Sequence, residues 1–269
     1  MPVCMLFLPA ILAAQAPDAP TLEQILAKHF EAMGGPNKLA SVKTVRITVV
    51  VEKPFSRSTV FESGQPGFTC MYNKVDIMAG AKNMSMGEVI FVTTPKGGWV
   101  SDSGWNGGKP IEFDVEGRKK YPNLLARNLI FSHVGSSPFV GYKEKGLKVE
   151  YLGLGDHAEG KAHKVALEYP NDGITLIYFL DSQSFLPVKV ETKYSDYKTK
   201  YPIIAFDDYK KVGGINVPHA WIEFTPRVEG ISGRDHSPSQ IQATVQKIEI
   251  NPKVSDSSFL PRAAAATDF

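Results

Sequence analysis

The sequence predicts an α+β fold that is mainly antiparallel β, either a meander with helices packed on one face or an open barrel. About eleven short segments have strand periodicity, and hairpin-length turns that contain glycine or proline separate them. Two or three segments have helical periodicity instead. The chain of 269 residues has no internal repeat and no break in composition, which favours one domain.

Residues 1–16 are predicted to be an export signal that is absent from the mature fold. The apolar run from Met5 to Ala13 is too short to span a bilayer as a mature helix. Ala14 and Ala16 are the small residues that a signal peptidase reads, so we expect cleavage after Ala16. No Lys or Arg precedes the run, and a buried N-terminal helix is the alternative. A single domain is expected over residues 17–262, with a loose tail over residues 263–269.

Helical patterns begin and end at recognisable residues. Thr21 and Gln24 have the spacing of a capping box, and an apolar stripe at helical spacing follows them. Gly34 and Gly35 end this first helix, and a short second helix is expected around Leu39. A third helix is predicted at residues 123–133, before a Gly-Ser-Ser-Pro stop.

The remaining segments alternate between apolar and polar residues as strands do. Val45, Ile47 and Val49 start the pattern, and Pro54 interrupts it. The other predicted strands lie at residues 58–63, 68–77, 84–93, 98–101, 147–152 and 161–169, within the stretch 174–224, and at 240–250.

The stretch 174–224 is apolar on both faces of its strands. Tyr178, Phe179 and Leu180 are consecutive large side chains, and residues 203–206 repeat the pattern. Because successive strand residues point to opposite faces, both faces of this part of the sheet need a cover. One face can take the helices. The other must close on itself, meet a partner or hold an apolar ligand.

The sequence gives no sign of catalytic, metal or nucleic-acid chemistry. It contains no phosphate loop, nucleophile elbow or zinc-protease motif, and a net charge of +2 does not indicate nucleic-acid binding. Asp207 and Asp208 are adjacent, so on a strand they point apart. His157 and His163 could meet across a hairpin, but no further ligand accompanies them. We therefore predict no enzyme activity, no metal and no cofactor.

Several ordered motifs resemble the outer-membrane lipoprotein carrier family (LolA/LolB-like, including the broader lipoprotein-sorting proteins). The motifs are GKAHKVAL at 160–167, YFLD with LPVK across 178–189, DYKKVGGINVP at 208–218, and IEIN followed by FLP across 248–261. The lead helix, with its Gly34-Gly35 stop, is also similar to that group. The segment from Asp102 to Arg118 departs from the family pattern.

The resemblance implies an open half-barrel with helices as a lid over an apolar cavity for acyl chains. It implies a non-catalytic periplasmic binder or carrier of lipid or lipoprotein acyl chains, with a membrane-bound donor or acceptor protein as a possible partner. An envelope sensor or scaffold module that docks a partner protein on the same sheet is the alternative. A hydrolase of lipid-linked substrates would need a nucleophile–base pair, which the sequence does not indicate. The candidate ligand-lining residues are Phe91, Trp99, Tyr178, Leu180, Ile203, Phe206 and Trp221.

Overall fold

The computed structural model describes residues 20–51, 55–63, 69–79, 82–103, 107–157, 160–195, 202–225 and 239–261. The expected export signal and C-terminal tail lie outside these residues. The described part of the chain has three α-helices, at the places that the sequence indicates. They are α1 (Leu22–Met33), α2 (Pro36–Ser41) and α3 (Pro122–Phe131).

Thirteen strands, counted over the described residues, form one antiparallel sheet with the order β6-β5-β4-β3-β2-β1-β13-β12-β11-β10-β9-β8-β7. The first and last strands therefore pair at the middle of the sheet, and β6 and β7 are its edges. This open, mainly antiparallel sheet with few helices confirms the predicted fold class. The strands are β1 (Val45–Val51), β2 (Phe55–Ser63), β3 (Thr69–Ala79), β4 (Lys82–Thr94), β5 (Gly97–Asp102), β6 (Ile111–Asp114), β7 (Lys148–His157), β8 (Gly160–Tyr169), β9 (Ile174–Asp181), β10 (Pro187–Tyr194), β11 (Ile203–Val212), β12 (Ile215–Thr225) and β13 (Ser239–Ile250).

Two differences from the predicted strands have local causes. Strand β6 was not predicted, because it is only four residues long and three of its residues are exposed. Strand β7 continues to His157, beyond the predicted end at residue 152. A bulge between Tyr151 and Gly153 interrupts the alternation there, and Gly153 has a φ of +96°.

The N-terminal helix is fixed at both ends as the sequence predicts. The Thr21 hydroxyl accepts a hydrogen bond from the Gln24 backbone N–H at 3.3 Å, and the Gln24 side chain accepts one from the Thr21 N–H at 2.9 Å. Gly34 ends the helix with a φ of +130°, and a Cβ there would lie 2.5 Å from the carbonyl oxygen of Gly214. Glycine therefore lets α1 approach the turn between β11 and β12 closely.

One face of the sheet, which we call the covered face, packs under α1, α3 and residues 132–147, a series of turns after α3. Alternation on β8 and β9 points one set of apolar side chains to this face. The largest fully buried members of this main core are Phe91, Phe139, Ile25, Ile47, Leu125, Ile130, Leu167, Ile174, Leu176 and Leu180. Among the described helices, none is both long enough and apolar enough to cross a bilayer.

Candidate functional site

Five of the seven candidate lining residues meet in the main core. Their partners include side chains of the helical cover. Phe131 of α3 lies 4.8 Å from Trp221 between ring centroids, and Phe139 lies edge-on to Tyr178 at 5.3 Å. The cover therefore occupies the space that an apolar ligand of this face would use. The five residues are Phe91, Tyr178, Leu180, Phe206 and Trp221.

The other two candidates lie elsewhere. Trp99 packs in a separate small cluster with Phe259, and its indole N–H donates to the Phe259 carbonyl oxygen at 2.9 Å. Ile203 is half-buried, whereas the neighbouring Ile204 is fully buried in the main core. The structure thus separates these two side chains from the covered-face group.

The opposite face of strands β8 to β10 is also apolar, and lysine side chains cover part of it. Ile177 and Phe179 form a small cluster with two alanines of β8. The Lys189 ammonium lies 3.8 Å from the centroid of the Phe179 ring, and the Lys164 ammonium lies 5.7 Å from it. Lysine stems can shield apolar surface while their charge stays in water. Side chains of this protein therefore cover both apolar faces of these strands, with helices and turns on one face and lysines on the other.

Buried polar contacts attach α3 to the sheet. The Arg127 guanidinium donates through Nε to Glu223 Oε1 at 2.5 Å and through a terminal nitrogen to Oε2. These side chains are 14% and 6% exposed, so this bidentate pair is largely buried. Asn128 of the same helix donates to the Thr93 hydroxyl at 3.4 Å. The helix thus has polar attachments on β12 and on β4.

His29 joins three parts of the covered face. Its Nδ1 lies 2.9 Å from the carbonyl oxygen of Phe185, and its Nε2 lies 3.0 Å from the Ser137 hydroxyl. A carbonyl only accepts, so Nδ1 carries the proton of the neutral ring and Nε2 accepts from Ser137. Burial lowers the pKa of His29 to about 4, although the hydrogen bond to Phe185 opposes this shift. The neutral ring connects α1, residues 132–147 and the β9–β10 turn.

A second polar group lies between the same turns and the sheet. His133 Nε2 is 3.2 Å from the Tyr169 hydroxyl. Burial lowers the pKa of His133 to about 3, and the nearby Lys145 adds to the shift.

Two buried tyrosine hydroxyls differ in their partners. Tyr209 donates to the carbonyl oxygen of Pro187 at 2.5 Å. The buried Tyr178 hydroxyl has no hydrogen-bond partner among the described residues. Burial also raises the pKa of Tyr178, so this hydroxyl is a neutral donor.

The neutral, buried His29 predicts a loss of stability in mild acid. Its pKa is about 4 in the folded chain against 6.5 for an unperturbed ring. Between these values the unfolded chain binds the extra proton, so the free energy of unfolding falls as pH falls from about 6.5 towards 4, by up to about 1.4 kcal/mol per pH unit. Urea denaturation at pH 7, 6 and 5 measures this slope.

His29→Gln is the test variant for this pH dependence. It removes the titrating ring, so we expect lower stability at pH 7 but a shallower slope below pH 6.5. The matched control is His219→Gln, because the His219 ring contacts the Val217 carbonyl of its own strand and joins no other element through that bond. An unchanged slope in His29→Gln would contradict the assignment.

A cavity of about 240 Å³ lies at the rim of the covered face, beside the start of α3. Leu125 and Ile174, which belong to the main core, form part of its wall. Arg118 Nε donates to Asp172 Oδ1 at 2.5 Å beside it. Burial raises the pKa of Asp172, although the Arg118 charge and hydrogen bond oppose this. The lining residues are Lys119, Lys120, Pro122, Leu125, Asp172, Gly173, Ile174, Tyr194 and Ser195.

The two histidines of the β7–β8 hairpin have separate partners. His163 Nδ1 lies 3.0 Å from the Tyr151 hydroxyl, and its ring stacks on Phe185 at 5.4 Å. His157 Nε2 lies 3.9 Å from Asp181 Oδ2. Within the described ranges, no group of three or more histidine, cysteine or acidic side chains could hold a metal ion.

Sequence comparison assigns the chain to no family. No family model matches the sequence, and no curated protein matches it significantly. Among solved structures, the chain is similar to that of an uncharacterized conserved protein from Thermus thermophilus, with 9% identity and a TM-score of 0.29, over 90% of this chain and 95% of that chain. It is weakly similar to MucB in a complex of MucB with MucA(peri), with 9% identity and a TM-score of 0.19, over 84% of this chain and 99% of that chain.

Two buried polar residues that were not predicted from the sequence, His29 and Glu223, nevertheless have recognisable sequence signals. His29 is spaced four residues from both Ile25 and Met33, so it lies on the buried stripe of α1. Glu223 lies between Ile222 and Phe224, and a charged residue in an apolar strand indicates a buried partner. Its partner, Arg127, is 96 residues away in the chain, and nothing local identifies it.

Proposed function

We propose that this protein is a non-catalytic, exported binder or carrier of lipid or lipoprotein acyl chains, which occupy the covered face. The observation that supports this most is the construction of that face. It is a continuous apolar surface under a helical cover, and separate polar contacts such as Arg127–Glu223 and His29–Ser137 attach that cover. A ligand chain enters by displacing part of the cover and taking over its apolar contacts.

The energetics suit a ligand with few polar groups. Each buried methylene contributes about 0.8 kcal/mol, so ten methylenes give roughly 8 kcal/mol before the cost of moving the cover. The Phe131 and Phe139 rings, which contact Trp221 and Tyr178, are the contacts that an acyl chain replaces. The Tyr178 hydroxyl is a buried donor in this layer, and it suits the carbonyl oxygen of an acyl ester or amide.

Docking of a partner protein is the second candidate function. Strand β7 is an edge of the sheet, and it exposes Leu152 and Leu154 at 43% and 50% of their surface. An exposed apolar edge strand can pair with another chain. A stoichiometric protein recovered by pull-down, lost in Leu152→Lys/Leu154→Lys, from a preparation that holds no lipid would favour this function over acyl binding.

The direct test of acyl binding uses the mature protein. Native mass spectrometry and lipid extraction are expected to find co-purifying acyl lipid, and a fluorescent acyl probe is expected to bind in competition with it. Delipidated protein that binds no acyl probe, at a concentration where it is folded, would contradict the proposal.

Tyr178→Phe is expected to have opposite effects on stability and on binding. The variant removes a buried hydroxyl with no partner among the described residues, so we expect the free energy of unfolding to rise by about 1 kcal/mol. If the hydroxyl donates to an acyl carbonyl, affinity for an ester or amide ligand falls about fivefold.

A hydrocarbon probe without a carbonyl provides the internal comparison for Tyr178→Phe, because its affinity should not change. Tyr209→Phe is the matched variant, since that hydroxyl already donates to Pro187 and its loss should lower stability instead. Equal loss of affinity for both probes would exclude a specific role for the Tyr178 hydroxyl.

A further inference from the structure

The rim cavity combines basic and apolar walls in one space. Its lining includes Lys119 and Lys120, which precede α3, together with Leu125 of α3 and Ile174 of β9. Leu125 and Ile174 are each 1% exposed and belong to the main core. The apolar part of its lining is therefore continuous with the covered face.

The charges around the cavity leave a positive excess. Arg118 is paired with the buried Asp172, and Lys119 lies 2.8 Å from Glu116, which is 75% exposed. In the described part of the chain, no ion pair engages Lys120. Lys120 can therefore pair with an anion that enters the cavity, and such an anion can also displace the exposed Glu116 from Lys119.

The part of the lining formed by residues 173–174 and 194–195 is held in place by hydrogen bonds. The Ser195 backbone N–H donates to the Gly173 carbonyl oxygen at 2.9 Å, and the Tyr194 hydroxyl donates to Asn123 of α3 at 3.2 Å. A Cβ on Gly173 would lie 2.6 Å from the Ser195 hydroxyl oxygen, and Gly173 has a φ of +63°. These contacts fix Gly173, Tyr194 and Ser195 in position between the start of α3 and the strands β9 and β10.

We propose that this cavity binds the anionic headgroup, a carboxylate or phosphate, of a single amphiphile whose alkyl chain runs over Leu125 and Ile174 into the covered face. This inference rests on the proposed acyl-binding function. It adds that the ligand is anionic and that its headgroup lies at the rim while its chain points into the covered face. Ile174 and Tyr178 share one face of β9, four residues or about 13 Å apart. An alkyl chain that starts at the rim therefore reaches the middle of the covered face along this strand.

The test compares two ligands that share a chain and differ in the headgroup, with inorganic phosphate as a third. Dodecanoate, 1-dodecanol and inorganic phosphate are titrated by isothermal calorimetry into delipidated mature protein at low and high salt. We expect dodecanoate to bind about tenfold more tightly than dodecanol at low salt, with the advantage reduced by salt. Inorganic phosphate should bind much more weakly than dodecanoate, because it lacks the chain.

Variants at the basic wall separate this site from general charge effects. In Lys119→Gln/Lys120→Gln the preference for dodecanoate should fall to about twofold or less, while dodecanol binding stays unchanged. Lys96→Gln, at an exposed lysine in the β4–β5 turn, is the matched control and should keep the preference.

The remaining outcomes contradict either the headgroup site, the amphiphile or the acyl-binding function. Equal binding of dodecanoate and dodecanol, or a preference that survives Lys119→Gln/Lys120→Gln, would overturn the headgroup site and leave acyl binding intact. Phosphate that binds as tightly as dodecanoate would make the cavity a free-anion site and overturn the amphiphile. Failure of both alkyl ligands to bind would overturn the proposed function together with this inference.

Discussion

Replacing Arg127 with methionine is expected to lower the free energy of unfolding by about 3–5 kcal/mol, because the buried Glu223 carboxylate loses its bidentate pair with the guanidinium. Glu223 is 5% exposed on β12, and the Arg127 guanidinium covers both of its oxygens. Methionine keeps much of the arginine stem, so the expected loss comes from the removed guanidinium and not from a cavity. Urea denaturation followed by circular dichroism measures the effect.

Two comparisons identify the cause of this loss. Arg127→Met/Glu223→Leu replaces the whole pair with apolar side chains and should recover most of the lost stability. Lys148→Met removes an ion pair in which both partners are exposed, Lys148–Glu168 at 3.2 Å, and should cost no more than about 1 kcal/mol. A double variant as unstable as Arg127→Met would show that α3 packing, and not the buried charge, is responsible.

The same variants connect stability with the proposed function. Arg127 attaches α3 to the sheet, so loss of the pair should free the cover and speed the association of an acyl probe. The recovered double variant should restore stability without restoring the specific attachment, since apolar side chains lack the directionality of a bidentate pair. If the probe associates faster with both variants but only Arg127→Met is less stable, the faster association results from loss of the attachment and not from lower overall stability.

Local sequence patterns predict most elements of the sheet because each is determined by neighbouring residues. The alternation of Val45, Ile47 and Val49 places all three on the covered face, and the Thr21 capping box starts α1 as expected. Local patterns predict neither β6, whose residues are mostly exposed, nor the continuation of β7 past its bulge. The pairing of β1 with β13 joins residues about 200 positions apart, and no local pattern specifies it.

The candidate site was predictable in composition but not in arrangement. Phe91, Tyr178, Leu180, Phe206 and Trp221 are large apolar side chains in strands, and burial on one face follows from that. Trp99 has the same character, yet it packs under Phe259 from the other end of the chain. The polar contacts of the cover depend on pairs far apart in sequence, so their positions emerge only when the strands and helices are assembled.

The Phe139→Ala variant is expected to destabilise the fold by about 3–5 kcal/mol, because it leaves a cavity under residues 132–147. The Phe139 side chain is 1% exposed and packs edge-on to both His29 and Tyr178, with centroid distances of 5.5 Å and 5.3 Å. Phe139→Leu keeps part of that volume and should cost about 1–2 kcal/mol. Phe224→Ala, at a ring that is 38% exposed, is the matched control and should cost about 1 kcal/mol.

Phe139→Ala also distinguishes an apolar site that ligands can enter from a core that only supports the fold. If the covered face accepts acyl chains, removal of this ring opens space beside Tyr178, and the affinity for an acyl probe should rise while stability falls. If the face is only a structural core, the unmodified chain should bind no acyl probe there, and Phe139→Ala should lower stability without a rise in affinity. Probe titration of the unmodified chain and of Phe139→Ala, carried out at low temperature where the variant is folded, decides between these results, because only an accessible apolar site predicts binding that becomes tighter in the variant.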